Sequence, residues 1–200
     1  GNARVKLVWD AGVPQDHAAR IAEAVAIART SDVAVIVAGI EEGEFRDRAR
    51  LALPGHQEAL IRAVAATGVP TTVVIIGGSA VTMSPWLEEV GAVLMAWYPG
   101  EQGGPAVASV LFGDADPSGR LPITFPMEEG QLPLTYDHKP TGRGDDYLDL
   151  TGQPLFPFGH GLTYTRFAYE DLRIDATGTG NSARVRVRAR IRNGRGGRIV

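Results

Sequence analysis

The chain alternates short apolar segments with amphipathic ones, and this order constrains its fold more than any other feature. The best apolar segment is DVAVIVAGI, residues 32–40, which is continuous, rich in β-branched residues and bounded by glycine. Such a run is typical of a strand buried in a parallel sheet. The later segment LPGHQEALIRAVAATG predicts a helix, with Pro54 and Gly55 at its start and Gly68 at its end.

The same order continues on both sides of this pair. VKLVWD, residues 5–10, predicts a strand and HAARIAEAVAIARTSD a helix, whereas VPTTVVIIGG, GAVLMAWYP and LPITFP predict three later strands. Helices are predicted at PWLEEV and QGGPAVASVLFGD. The alternation favours βαβ units, so we predict an α/β domain over residues 1–165, with a mainly parallel sheet sandwiched by helices.

The last segments have a different pattern. FAYEDLRIDA and ARVRVRARIRNG alternate apolar with polar residues, which predicts strands with one face in solvent. We therefore expect a second, all-β unit over residues 166–200. A β-sandwich needs about seven strands and roughly 100 residues, so we expect this unit to be incomplete and both ends of the chain to be cut.

Composition excludes several classes of protein. The chain is 44% hydrophobic and 22% charged with a net charge of −3, which is typical of a globular protein and not of a basic nucleic-acid binder. The arginines of VRVRARIR fall on one strand face and are interpreted as a solvent-facing side, so no nucleic-acid partner is expected. No apolar run approaches the roughly 18 residues of a membrane span, and no membrane partner is expected.

Cofactor and metal motifs are also missing from the sequence. There is no cysteine, no phosphate-binding glycine motif and no second His or carboxylate at metal spacing from His160. GGSAV resembles a nucleophile elbow, but Val81 stands where that motif needs glycine. We expect neither a metal nor a cofactor.

The loop after the best strand carries the chemistry. EEGEFRDRARLALPG places Glu41, Glu42 and Glu44 among arginines, where parallel α/β sheets form their sites. A carboxylate in a cleft at this position suits general acid–base catalysis, and Glu44 is the first candidate. A merely solvated surface loop is the alternative interpretation.

Several long motifs resemble the second domain of glycoside hydrolase family 3, the retaining β-glucosidases and their relatives. They include WYPGEQGG, VLFGDADPSGRLPITFP, QLPLTYDHKPTGR and PLFPFGHGLTYTRF, the last of which precedes a fibronectin type III-like domain in the family. The family's loop motif is matched, in order and spacing, by Glu44, Asp47, Arg48, Leu51, Leu53, Pro54 and Gln57.

The resemblance implies a function shared with another domain. In the family this domain packs against a (β/α)8 barrel that carries an Asp nucleophile, so we expect a barrel partner in cis or in trans. Glu44 would be the general acid–base in hydrolysis of terminal β-D-glucosyl residues with retention, on a β-glucoside or short β-glucan, without a cofactor. The commoner family form has glycine where this chain has Phe45, so Glu41 and Glu42 stay alternative acids.

Further residues are candidates for binding. Asp47 and Arg48 are expected to form an ion pair that shapes the loop, with direct contact to the sugar as the alternative. Trp97 and Tyr98 are candidates for stacking on a sugar, although core or interdomain packing is favoured for both. His138, Lys139 and Arg143 lie in a long excursion over about residues 128–165 and are candidates for contact with the aglycone or for packing that excursion.

A non-catalytic carbohydrate-binding or interaction module of the same fold is the alternative function. If the start of the chain is cut, the sheet lacks the elements that precede its first strand and exposes a strand edge. We therefore expect self-association into a homo-oligomer. The family resemblance favours a secreted or periplasmic location.

Overall fold

The computed structural model describes residues 16–45, 47–139, 141 and 144–194. Its contacts divide the chain into two compact units. The first contains the described residues up to Gly104 together with Leu121–His160, and the second contains Pro105–Arg120 and the residues from Gly161 onward. The predicted strand at residues 5–10 lies outside the described residues.

The first unit is built on a parallel sheet of three strands in the order β1–β2–β3. The strands are β1, Ala34–Gly39; β2, Thr71–Ile76; and β3, Ala92–Trp97. Val73 of β2 pairs with Ile36 of β1 and with Val93 of β3. The predicted parallel α/β fold is confirmed.

Helices alternate with the strands along the described chain. Helix α1 covers His17–Ala28, α2 covers Gln57–Ala65 and α3 covers Gly103–Leu111. Helix α1 precedes β1, α2 joins β1 to β2, and α3 follows β3 and extends into the second unit. Short 3-10 helices lie at Leu87–Glu89, Glu129–Gln131 and Gly180–Ser182. Asp16 caps α1 because its carboxylate accepts from the N–H groups of Ala18 and Ala19 at 3.0 and 3.2 Å.

The core of the first unit lies between the sheet and α2. Side chains alternate along a strand, so Ile36 of β1 and Val73 of β2 point to the same face. Both are buried with Ile61 and Val64 of α2. Val37 of β1 points to the opposite face and is 67% exposed.

Two predicted elements differ from the structure. LPITFP is not a strand; only Phe125 forms an isolated bridge, with Phe156. Pro122 and Pro126 flank this bridge and lack the N–H that a longer ladder needs. PWLEEV forms a single 3-10 turn at Leu87–Glu89.

The second unit contains a long antiparallel pair. Strand β4, Arg166–Thr177, pairs with β5, Arg184–Gly194, so both predicted strands are confirmed. One face carries the ion pairs Arg188–Asp175, Arg190–Asp171 and Arg192–Glu170. The opposite face is apolar and exposed, with Tyr169, Ile174, Val187 and Ile191. Its membership of a fibronectin type III-like domain and the boundary at residue 165 stay predictions.

Candidate functional site

The candidate site lies on the loop of residues 40–56, which joins β1 to α2 and is called the β1 loop below. Gln57 fixes its first end, because its Oε1 accepts from Gly39 N at 2.7 Å and its Nε2 donates to Gly39 O at 2.8 Å. Leu51 N donates to Glu129 Oε1 at 2.6 Å, and Leu53 N donates to Glu58 Oε1 at 3.3 Å. The β1 loop is thus held where it begins and where it returns to α2.

Glu42 joins the carboxyl ends of all three parallel strands. It follows β1, and its carboxylate accepts from Gly78 N at 2.9 Å and from Ser79 Oγ at 2.8 Å, just after β2. The hydroxyl of Tyr98, just after β3, donates to the same carboxylate. This convergence follows from the topology, because parallel neighbouring strands end at the same edge of the sheet.

Arg48 binds the returning part of the β1 loop to the same cluster. Its guanidinium donates to Ser79 Oγ at 2.8 Å and to Ala52 O at 3.3 Å. One guanidinium nitrogen lies 4.0 Å from Glu42 Oε1, and the two side chains are 18% and 26% exposed. The contact is therefore better shielded from water than an ordinary surface ion pair.

This environment favours an ionised Glu42. The hydrogen bonds from Tyr98 and Ser79 lower the pKa of the Glu42 carboxyl below its ordinary value of 4.5. The N–H of Gly78 and the charge of Arg48 lower that pKa further, and partial burial opposes them. The hydrogen bond to Glu42 raises the pKa of the Tyr98 phenol, so the phenol keeps its proton and remains a donor.

Glu44 lies in a different environment two residues further on. It is exposed, and among the described residues no hydrogen bond or ion pair involves its carboxylate. The next residue, Phe45, is 94% exposed and has a φ of 63°, in the left-handed region that few non-glycine residues adopt. Residues 43–45 therefore form an exposed tip of the β1 loop, called the tip below.

A cleft of ≈ 670 Å³ lies beside the tip. It is lined by Glu42, Gly43, Asp47, Arg48, Leu51, Ser79 and Tyr98. Carboxylate, guanidinium and phenol groups in one cleft offer donors and acceptors that suit a polyhydroxylated ligand. Within the described residues, Asp47 forms no ion pair with Arg48, contrary to the expected pairing, because Arg48 turns to Glu42 and Ser79.

Trp97 and His138, two of the other predicted binding residues, do not line this cleft. Trp97 packs against the core, with its ring edge-on to Phe125 at 6.2 Å between centroids. His138 Nδ1 lies 3.1 Å from Thr135 O, and its Nε2 lies 3.7 Å from a carboxylate oxygen of Asp145.

Lys139 and Arg143 are the remaining predicted binding residues. Lys139 is exposed, and Arg143 lies outside the described residues. Contact of Trp97, His138, Lys139 or Arg143 with a sugar stays a prediction.

Ser79 was missed as a residue of this site, and Tyr98 was considered only for stacking on a sugar or for packing, not as a partner of Glu42. Both follow predicted strands directly, Ser79 in GGSAV and Tyr98 in AWYPG. The expectation that parallel strands end at one edge would have placed both near the β1 loop.

Two features, a metal-holding group of side chains and a membrane-spanning helix, are absent from the described part of the chain. No group of three or more His, Cys, Asp or Glu side chains there is placed to hold a metal ion. Among the described helices, none combines the length and the apolar character that crossing a membrane requires.

Comparison with known proteins connects this site to one family. Residues 4–164 match the family profile described as the glycosyl hydrolase family 3 C-terminal domain. The periplasmic β-glucosidase of Salmonella typhimurium is 39% identical over 176 residues, which cover 82% of this chain and 23% of that protein. A β-xylosidase of Formosa agariphila is 39% identical, covering 86% of this chain and 24% of that protein.

Solved structures agree with the sequence matches. A β-glucosidase from Erythrobacter marinus superposes with a TM-score of 0.78 at 43% identity, covering 88% of this chain and 25% of that one. The family resemblance found in the sequence is therefore confirmed. The chain spans about a quarter of the length of these relatives.

Proposed function

The chain belongs to glycosyl hydrolase family 3, whose C-terminal domain it carries at residues 4–164, and from this premise we propose that it supplies the acid–base half of a retaining β-glucosidase site. The other half is a carboxylate nucleophile on a (β/α)8 barrel, in cis or in trans. The relatives that share this domain are named β-glucosidase and β-xylosidase. We propose terminal β-D-glucosyl residues of a β-glucoside or short β-glucan as the substrate.

Glu44 is the proposed acid–base. In the first step the barrel carboxylate attacks the anomeric carbon while the Glu44 carboxyl gives its proton to the departing glycosidic oxygen. In the second step the Glu44 carboxylate takes a proton from water, whose oxygen attacks the anomeric carbon and releases the sugar and the nucleophile. Retention requires the two carboxyl groups about 5–5.5 Å apart.

The contrast between Glu42 and Glu44 is the observation that carries this assignment. A general acid must hold a proton before the bond breaks and must reach the leaving oxygen. Glu42 accepts three hydrogen bonds and has a lowered pKa, so its carboxylate is ionised and its oxygens are already bound to protein donors. The carboxyl of Glu44 is exposed on the tip, where a docked domain and its substrate can reach it.

The experiment is Glu44→Gln in the barrel-containing protein, assayed on glucosides with leaving groups of graded acidity. We expect kcat/KM on an alkyl glucoside to fall by about 10²–10⁴-fold, because the leaving oxygen is no longer protonated. Formation of the glycosyl-enzyme from a dinitrophenyl glucoside should be spared, because this leaving group needs little protonation. Hydrolysis of the glycosyl-enzyme should slow, because the attacking water no longer has the Glu44 carboxylate as its general base.

Azide provides a second readout of the same role. Azide is an anionic nucleophile that needs no base, so in Glu44→Ala it should speed turnover of the dinitrophenyl glucoside and give a glucosyl azide product. Glu41→Gln and Glu42→Gln test the two alternative acids in the same assay. Glu89→Gln is the matched control, because Glu89 pairs with Arg62 on the surface at 2.9 Å.

Normal rates of Glu44→Gln on alkyl glucosides would remove the assigned role. If the barrel-containing protein hydrolyses no glucoside, while this chain binds glucose equally well with and without Glu44→Gln, the domain is a carbohydrate-binding module. Because one relative is named a periplasmic enzyme, we further propose a periplasmic or secreted location, which cell fractionation tests.

A further inference from the structure

The tip that carries Glu44 lies between two residues that are fixed to the same neighbours. Glu42 precedes the tip and is bonded to Gly78, Ser79 and Tyr98. Arg48 follows it and is bonded to Ser79 Oγ at 2.8 Å. Both sides of the tip are therefore tied to the ends of neighbouring strands.

The length of chain between Glu42 and Glu44 limits where the acid can go. One residue of extended chain spans at most about 3.6 Å, so the Glu44 Cα stays within about 7 Å of the Glu42 Cα. Fixing Glu42 thus confines Glu44 to a small volume, although the Glu44 side chain has no bond to another described residue.

The bonds of Glu42 also restrict its own role. Three donors and a nearby guanidinium surround its carboxylate. An ionised, multiply bonded carboxylate keeps its place during a reaction, because moving it would leave polar groups unpaired. Such a group is suited to holding a loop and poorly suited to transferring protons.

We propose that Glu42 is a positioning residue, which together with Tyr98 holds the Glu44 tip at the distance that double displacement requires. This inference rests on the proposed function, because it assigns a role relative to Glu44. A misplacement of about 1 Å can cost as much as 100-fold in rate, so one hydrogen bond at the base of the tip has a measurable effect.

The test uses Tyr98→Phe and Glu42→Gln in the barrel-containing protein. We expect both to lower kcat/KM on an alkyl glucoside by about 10- to 100-fold. Glycosyl-enzyme formation from a dinitrophenyl glucoside should stay within about twofold, because that step needs little help from the acid. A variant that is only less well folded would instead lower the rates on the alkyl and the dinitrophenyl glucoside by the same factor, because both rates scale with the fraction of protein that remains folded.

The double variant and a matched control sharpen this test. Because Tyr98→Phe removes, and Glu42→Gln weakens, the same hydrogen bond, the double variant should lose less than the product of the two single losses. Tyr164→Phe is the control, because it also removes a phenol hydrogen bond, from Tyr164 Oη to Val110 O at 2.7 Å. It should leave the ratio of the two substrate rates unchanged.

The outcomes separate this inference from the proposed function. If Glu44→Gln is impaired while Glu42→Gln and Tyr98→Phe match the wild type on alkyl glucosides, Glu42 has no positioning role and the function stands. If azide rescues Glu42→Ala but not Glu44→Ala, Glu42 is itself the acid and the inference is wrong. If none of the variants changes hydrolysis, the function and the inference both fail.

A milder variant covers the case in which Glu42→Gln does not fold. Ser79→Ala removes one of the three donors to Glu42 and leaves those of Gly78 and Tyr98. We expect a smaller loss on the alkyl glucoside, again with the dinitrophenyl glucoside spared. If Ser79→Ala and Tyr98→Phe both hydrolyse the alkyl glucoside as fast as the wild type does, the positioning role of Glu42 is overturned.

Discussion

The side-chain amide of Gln57 bonds both backbone groups of Gly39, accepting from its N–H at 2.7 Å and donating to its carbonyl at 2.8 Å. The same amide nitrogen donates to Pro54 O at 3.0 Å. One side chain at the start of α2 therefore closes the end of β1 and the end of the β1 loop. The backbone groups of Gly39 would otherwise lose their partners at the last residue of the strand.

Gln57→Ala removes these bonds and leaves partly buried backbone groups unpaired. We expect a loss of about 1–3 kcal/mol in the free energy of unfolding, measured by thermal or denaturant unfolding of the protein. Gln102→Ala is the control, because the Gln102 side chain is exposed and forms no hydrogen bond with the described residues. Equal stability of the two variants would contradict the role of Gln57.

Gly39 is required where β1 approaches β2. A Cβ at this position would lie 2.5 Å from Ile76 O, which is backbone and cannot move aside alone. Gly39→Ala should destabilise the protein by about 1–3 kcal/mol, because the two strands must separate. A lower midpoint of thermal unfolding is the measurement.

Gly104→Ala is the matched control for this change. Gly104 lies in α3, and a Cβ there meets nothing within 4 Å. This substitution should be neutral or stabilise by up to about 1 kcal/mol, because alanine favours helix. If Gly39→Ala and Gly104→Ala lose the same free energy of unfolding, crowding against Ile76 O is not what destabilises Gly39→Ala.

Gln131 holds the segment that follows the Phe125 bridge. It is 2% exposed, and its amide accepts from Met127 N at 2.6 Å and donates to the carbonyls of Thr151 and Gln153 at 3.0 Å each. Gln131→Leu keeps the volume and leaves three backbone groups unpaired. We expect a loss of about 2–4 kcal/mol, with Gln102→Leu as the exposed control.

Protease sensitivity gives the second readout for Gln131. Loss of the two carbonyl bonds should free the segment of residues 144–153, so limited proteolysis should cut this segment sooner in Gln131→Leu than in the wild type. An unchanged rate of cleavage would mean that other contacts hold the segment.

The lowered pKa of Glu42 predicts a stability difference that depends on pH. In the unfolded chain this carboxyl binds its proton near its ordinary value of 4.5, and in the folded protein it binds it at lower pH. The stabilisation is therefore fully present above the unfolded value and is lost as pH falls through the folded value. Glu42→Gln should be less stable than the wild type at pH 7, and the difference should shrink below pH 4.5.

Thermal melts between pH 7 and pH 3 measure this difference. Glu89→Gln, which removes the surface pair with Arg62, is the control and should cost little. A difference between Glu42→Gln and the wild type that stays constant down to pH 3 would show that the Glu42 charge does not stabilise the fold.

Much of the fold was predictable because its information is local. The β-branched run of β1 and the apolar spacing of α2 are patterns within a few residues, and both elements form where those patterns lie. LPITFP was predicted wrongly for the same reason. Its composition suits a strand, but whether it pairs depends on a partner, and only Phe125 finds one.

The sequence alone determined the family, most of the strands and helices of the described chain, and the loop on which the candidate acid–base residue lies. Only the tertiary structure decided which glutamate after β1 is bound and which is exposed. Glu42 is distinguished by Gly78 and Tyr98, which lie 36 and 56 residues further along the chain. No local pattern encodes those contacts, because they arise only when three parallel strands end at the same edge of the sheet.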